Sequence, residues 1–296
     1  MDAKHQSKFS GPIVVTGSGC RSYPPGEAAA MDVLPFLKSP KMHKYMGKQD
    51  QLAVVAARLA LQERNIEADV LRDRTGIYAA VGYIPFERND IETMARHSVA
   101  AGSFSMEMFA TVAVEQVHPL LTFRCLPNMP IFHVSVNCGI QGPYFVTYPG
   151  VAQFYVALER AVAALREYEI DFALVGGVAD QDNFLVAFDR SRKPGSSEQV
   201  AHDAAAFLVL ERAADGAVGV ELTAMQQTYR GHDPWRSPFR HQEWFEPSAN
   251  SAQDAFLGAA SLPAFLHEAR QAQGGGVWTH TVTTIDGIEA QSRWTR

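Results

Sequence analysis

The sequence is poor in cysteine. Its three, Cys20, Cys125 and Cys138, cannot all pair and show no C-x-x-C spacing, which argues against a disulfide framework and against a zinc site. Reduced, mostly buried thiols are the expectation. The ten histidines are scattered, with no pair at a metal-ligand spacing on one helical face, so neither a metal centre nor any other cofactor is expected. An excess of positive charge is missing too. The formal net charge is -6, and the reading finds no basic stripe or Lys/Arg cluster, which counts against nucleic acid and anionic membrane surfaces as partners. The opening MDAKHQSKFSGP lacks an apolar signal-like stretch, and no run approaches the roughly 18 apolar residues of a membrane span. The expectation is a cytoplasmic protein without a membrane span.

What is present is an ordinary globular composition, 47% hydrophobic and 20% charged over 296 residues, enough for a sizeable core. Short apolar strands alternate with amphipathic helices, which predicts an α/β layered fold. PIVVTGSG, Pro12 to Gly19, reads as a β-branched strand running into a glycine turn. DQLAVVAARLALQERN, from Asp50, places Leu52, Val55, Ala56, Leu59 and Ala60 on one helical face. RTGIYAAVGYI from Arg74, IDFALVGGVA from Ile170 and AAAFLVLER from Ala204 read as buried strands. GPYFVTYPGVAQFYVALERA, Gly142 to Ala161, reads as strand, Pro-Gly turn and helix, with Val151, Phe154, Tyr155, Leu158, Val162 and Leu165 forming the apolar stripe. That is the outline of a nucleophile elbow without a nucleophile, since Pro149, Gly150 and Val151 cannot attack a carbonyl. Near residue 230 the composition changes. Arg230 to Ser251, rich in Pro, Arg, His and Trp, reads as a long surface connection, followed by a helix and the strand VWTHTVTTI. Gly17 and Gly19 suggest a dinucleotide loop, but Ser22 stands where its third glycine belongs, and that reading is set aside.

Taken in order, IVVTGSG, KMHKYMGKQDQLAVVAARLAL, LPNMP, GIQGPYF, VGGVAD and FDRSRKPGSSEQVAHDAAAFLVLER resemble the β-ketoacyl-ACP synthases of the thiolase-like fold. The resemblance implies a layered α-β-α-β-α fold with a shortened C-terminal half, residues 11–229 forming the ketosynthase N-terminal-like half and 230–296 a truncated C-terminal one. It places Val151 at the family's nucleophilic cysteine. SANS, Ser248 to Ser251, puts Asn250 at the catalytic lysine, and DAFLGAAS puts Ala255 at a catalytic histidine. A valine carries no thiolate for an acyl chain. The resemblance therefore implies a non-catalytic subunit of the chain-length-factor kind, similar to the truncated ketosynthase-like proteins of aryl polyene clusters. Its implied partners are an active ketosynthase, with which it forms a heterodimer, and an acyl carrier protein acting through that complex.

The same resemblance implies that the pairing surface runs along the strand next to the elbow and through the excursion Tyr83 to Met129. Phe104, Met106, Met108, Phe109, Met129 and Phe154 are the candidate tunnel and interface residues, with Phe109 and Met129 foremost. Other chemistry is weighed against blander roles. Cys138, Cys125 and Cys20 read as structural thiols, Gln153 as a solvent- or backbone-bonded helix residue, and the neighbours His202 and Asp203 as structural because successive strand side chains face opposite ways. A stand-alone acyltransferase or hydrolase using Cys138 or a serine remains the alternative.

Overall fold

The computed structural model describes residues 11–28, 31–148, 152–191, 202–213, 219–229, 250–253, 258–272, 274–283 and 288–296. In chain order the elements are β1 (Ile13–Tyr23), α1 (Lys48–Arg64), α2 (Ala68–Asp73), β2 (Thr75–Val81), α3 (Arg88–His97), the small hairpin β3 (Val99–Ala100) and β4 (Ser103–Phe104), α4 (Met106–Thr111), α5 (Leu121–Arg124) and α6 (Met129–Cys138). They continue with β5 (Tyr144–Thr147), α7 (Gln153–Arg166), β6 (Phe172–Ala179), α8 (Phe184–Ser191), β7 (Asp203–Arg212), β8 (Val220–Tyr229), β9 (Asn250–Gln253), α9 (Ser261–Gln271), β10 (Val277–Thr283) and β11 (Ile288–Thr295).

Nine strands form one mixed sheet in the order β5-β2-β6-β7-β1-β8-β11-β10-β9. Of the parallel trio β5, β2 and β6, the inner strands β2 and β6 are largely apolar, as strands covered on both faces must be, and β2 is buried at every position, while β5 forms the edge. β7 runs antiparallel to both β6 and β1. The two ends of the sheet meet at a narrow seam, where β1 pairs with β8 only over Ile13, Val14 and Val15.

Two cores fix the layers. On one face of the first five strands, Leu52, Val55 and Ala56 of α1 and Ile131 and Val134 of α6 pack on Ile77, Leu174, Phe207 and Val209. On the other face, α7 and α9 are sandwiched between the two ends of the sheet. Phe154, Leu158, Leu262 and Leu266 join Tyr78, Val175 and Leu208 on one side to Trp278, Val282 and Trp294 on the other. Each such side chain contributes roughly 1.5–3 kcal/mol on burial. The order among the described residues is thus helix, sheet, helix, sheet.

Local sequence explains the helix boundaries. Asp50, the third residue of α1, accepts from the Gly47 backbone N–H at 2.7 Å, and Asn65 ends the helix in the left-handed region at φ 54°. Pro130 sits in the first turn of α6, and Gly139 closes it at φ 77°.

Two expectations are corrected. Gly17 and Gly19 are not a turn, because β1 runs through them to Tyr23. They are places where α1 lies on the strand backbone, and a Cβ at either would overlap a helix carbonyl oxygen, of Ala60 or Ala56. Residues 250 and 251, read as the end of a surface connection, start β9, which pairs parallel with β10 from Asn250↔Trp278 onward. The rest of that stretch, 230–249, lies outside the described residues.

Candidate functional site

The elbow is described on both flanks, while Pro149, Gly150 and Val151 lie outside the described residues. On the strand side, Thr147 is buried and donates its hydroxyl to the Gln153 carbonyl at 3.0 Å, tying the end of β5 to the first turn of α7. Gln153 opens that helix as expected, its carbonyl engaged by Thr147. The Tyr148 hydroxyl accepts from the Ile84 N–H at 3.3 Å, its ring meets Tyr83 edge-on at 6.4 Å, and Gln49 donates to the Tyr83 carbonyl at 2.6 Å. The excursion thus leaves the end of β2 pinned beside the elbow.

One turn into α7, Tyr155 is the hub of a buried polar network that the sequence reading missed. Its hydroxyl lies 2.9 Å from His280 Nδ1, 3.0 Å from the His280 carbonyl and 3.1 Å from Ser292 Oγ. His280 Nε2 is 3.2 Å from Ser261 Oγ, and Trp294 donates to Ser292 at 2.8 Å. The bonding dictates the tautomer. A carbonyl only accepts, so it takes the single hydroxyl hydrogen of Tyr155; Nδ1 of His280 therefore carries its proton toward Tyr155, and Nε2 accepts from Ser261. Burial pushes the His280 ring down to about 3, so it stays neutral. The group joins α7, α9, β10 and β11 inside the middle layer, which is the work of a structural lock. Neither β11 nor the Tyr155 partners His280 and Ser292 could be read from sequence, because these two lie 125 and 137 residues from Tyr155 along the chain.

The three thiols are held protonated. Burial raises Cys138 to about 12 and Cys20 to about 11, and raises Cys125 as well. Asp203 is fully buried and accepts from Lys48 Nζ at 2.8 Å and from the Gln181 and Asp182 N–H groups, while His202 turns to Ser22 Oγ at 3.2 Å. The two adjacent residues face different partners, Asp203 at the start of β7 and His202 just before it. Lys48 also pairs with Asp180 at 2.8 Å, so one ammonium serves two buried carboxylates.

A second unforeseen pair lies where α1 meets α6. His133 Nε2 is 3.8 Å from Asp50 Oδ2, and both groups are buried. Burial raises Asp50 to about 7 and lowers His133 to about 4, so both are neutral near pH 6.

The expected catalytic replacements fare differently. Asn250 heads β9, and Ala255 lies outside the described residues. The tunnel and interface candidates are not all brought together. Phe104 and Met106 stand on the excursion, 64% and 66% exposed, with Phe109 half-buried 6.2 Å from Phe104 and Met108 half-buried beside it. Met129 is buried at the start of α6, and Phe154 is buried in the other core, between the sheet ends. The sequence reading passed over Phe132 and Tyr144. These two, 49% and 67% exposed, border a cavity of about 250 Å³ walled also by Ile77, Ile131 and Ile140, next to the outer edge of β5. The signal was available: Phe132 falls off the helical face that buries Ile131, Val134 and Cys138.

Comparison with known proteins fits this architecture. Residues 23–221 match the β-ketoacyl synthase N-terminal domain, and the chain belongs to that family. It is 28% identical over 205 residues, 68% of its length, to polyketide synthase GfsA of Streptomyces halstedii, of which it spans only 2%. Among solved structures it is similar to the AntDE:AntF complex of a type II polyketide synthase acyl-carrier protein with its ketosynthase bound to the hexaketide (TM-score 0.68, 14% identity, 96% of this chain and 99% of that one). It is also similar to the ishigamide ketosynthase/chain length factor (TM-score 0.66, 13% identity, 96% and 99%) and to a β-ketoacyl synthase from Burkholderia phymatum STM815 (0.65, 14%, 97% and 99%). The fold is therefore the thiolase-like fold of ketosynthases, carried by a short chain. Among the described residues no helix is long and apolar enough to cross a membrane.

Proposed function

We propose that the chain is a non-catalytic ketosynthase-like subunit that pairs with an active β-ketoacyl synthase and shapes the acyl tunnel of the pair, as a chain length factor does. The observation that carries this reading is the set of exposed apolar side chains on the excursion, on α6 and on β5, the edge strand of the sheet. Phe104, Met106, Val114, Phe123, Leu126, Phe132 and Tyr144 are each at least 45% exposed, and all come from the excursion, α6 or β5 itself. Among the described residues β5 is an edge strand with Phe132 and Tyr144 exposed beside it, and an edge of that kind on a chain that also exposes the apolar side chains of the excursion calls for a protein partner. The inert thiols and Val151 at the elbow support the absence of an acyl-enzyme step, and they weigh against a stand-alone acyltransferase acting through Cys138.

The division at residue 230 belongs to the same proposal: the N-terminal half supplies the pairing surface, and the shortened C-terminal half lacks the family's histidine loop. In the pair, Phe109, Met129 and the cavity beside Tyr144 bound the far end of the tunnel. A size and activity measurement tests the reading. Co-expression with an active ketosynthase should give a stable complex, and the free chain incubated with acyl carrier protein thioester should gain no acyl mass. A monomer that ignores the ketosynthase at micromolar concentration, or a stoichiometric acyl adduct on this chain, would refute it.

A further inference from the structure

The two ends of the excursion meet the body of the fold at one place, the first turn of α1. Ile84 and Pro85 from its start and Leu126 and Pro127 from its end wall a cavity of about 10 Å³ against Gln49 and Asp50, with room for one water molecule. The polar side chains there are short of partners. Gln49, 2% exposed, donates its amide to the Tyr83 carbonyl at 2.6 Å, and its Oε1 has no hydrogen-bond partner among the described residues. Arg124, on the same cavity, donates to the Lys44 carbonyl at 3.4 Å, and its buried Nε has no such partner either. Asp50, 3% exposed, accepts at Oδ2 from the Gly47 N–H at 2.7 Å. His133 Nε2 stands 3.8 Å from that oxygen, beyond hydrogen-bond distance, and neither ring nitrogen of His133 has a hydrogen-bond partner among the described residues.

A carboxylate in water is surrounded by donors. In this seat a backbone N–H and a guanidinium already engaged at Lys44 stand in for them, among isoleucine, leucine and proline side chains, so the closed root favours the neutral acid. The preference reverses if the root lifts. Asp50 then stands in water at the N-terminus of α1, where the helix dipole and the same Gly47 N–H favour the anion, and the capping box itself is untouched.

We infer that Asp50 is a proton-operated latch on the root of the excursion: with its proton, both ends of the excursion seat on the start of α1, and on releasing that proton to solvent it lets them lift from this contact. The charged and titratable groups facing Asp50 are Arg124 from α5 and His133 from α6. Val81, Gly82, Ile84 and Pro85, at the end of β2 and the start of the excursion, carry no titratable group, and Lys48 on α1 is engaged by Asp180 and Asp203. Arg124 opposes the latch by favouring the anion, so it sets the pH at which the root lifts rather than whether it does. The inference concerns the free chain and stands whether or not that chain pairs with a ketosynthase.

The test is native-state hydrogen exchange of the full chain, followed at the hydrogen-bonded amides of Phe86, Arg124, Cys125 and Met129 and corrected for the intrinsic pH dependence of exchange. Burial holds the Asp50 proton to about pH 7, so between about pH 5.5 and about pH 7.5 the protection of these amides should fall about tenfold or more. His133, lowered to about 4, titrates below that window. Asp50→Asn keeps an acceptor for the Gly47 N–H and has no proton to lose. Its protection should be the same at both pH values and should exceed that of the wild type at the higher one. The difference between the two chains cancels every other titrating group. Arg124→Met removes the cation that favours the anion, so the loss of protection should continue to higher pH before it levels off. A wild-type chain with pH-independent protection at these amides, or an Asp50→Asn variant that loses protection as the wild type does, would overturn the inference. A levelling pH unmoved by Arg124→Met would overturn it as well, and this arm holds even if the Asn variant does not fold.

Discussion

Replacing Tyr155 by Phe tests the buried lock with the removal of one oxygen. The hydroxyl accepts from His280 Nδ1 and donates to the His280 carbonyl, with Ser292 Oγ at 3.1 Å as a third neighbour. Phenylalanine keeps the ring, which is fully buried, so no cavity beyond the oxygen opens. The change leaves the Nδ1 hydrogen and the carbonyl without their partner, and a stranded buried group costs about 1–3 kcal/mol, so the expected loss is about 3 kcal/mol. Urea unfolding measures it: the midpoint should fall while the slope stays the same. Tyr229→Phe, at a side chain 68% exposed, should change stability by less than about 0.5 kcal/mol and serves as control. The pH dependence follows with its sign. His280 titrates at about 3 in the folded chain against 6.5 when unfolded, so below pH 6.5 the unfolded chain binds the extra proton and stability falls toward pH 3. A loss under about 0.5 kcal/mol for Tyr155→Phe would refute the lock.

Three further outcomes are expected. Gly19→Ala should destabilise by about 3 kcal/mol or more in the same unfolding assay, since its Cβ meets the backbone of α1 at Ala56 and Ala60 and neither can move alone. Asp50 and His133 should mask each other in a stability-pH profile. Asp50 is raised from 3.8 to about 7, so stability falls as pH rises through that window, while His133 is lowered from 6.5 to about 4, so stability falls as pH drops through its own. Asp50→Asn should expose the acid-side loss and His133→Gln the opposite slope, and identical profiles for both variants would refute the pairing of these two groups. The native thiols should react with a disulfide reagent at neutral pH far more slowly than a free cysteine, because burial raises all three.

Much of the layered fold was legible in the sequence because it rests on period and burial. IYAAV and FALVGGVA are apolar without alternation, as strands covered on both faces are, and the α7 stripe holds its 3.6-residue period. β8 and β11 were not legible. VELTAMQQTY and IEAQSRWT mix Gln, Thr, Ser and Glu with few apolar residues, and what makes them strands is their mutual pairing from Ile288↔Tyr229 to Thr295↔Glu221. The glycines of β1 misled for a related reason. A glycine marks either a turn or a close approach, and only the partner helix, more than thirty residues downstream, decides between them. At the site, the flanks of the elbow followed from GPYF and the α7 stripe. Phe132 and Tyr144 were overlooked because an apolar residue off the buried face looks like noise until the open edge of β5 gives it a neighbour.

The position of β1 in the sheet sets an order on biosynthesis. It is made well before its long partner β7, with which it pairs in register from Tyr23↔Asp203 to Ile13↔Arg212. At about 5–20 residues per second, roughly 10–40 s pass before that partner exists. During this interval the β-branched Ile13, Val14 and Val15 have neither β7 nor β8 to cover their edges, and the glycines that later receive α1 leave the strand too bare to fold on its own. β5 and its apolar surroundings, by contrast, need only β2 and are complete in the nascent chain well before β7 is made. The exposed apolar surface is therefore presented by a molecule whose own core is still open, and on the pairing proposal this is the stage at which a partner's shielding would matter most.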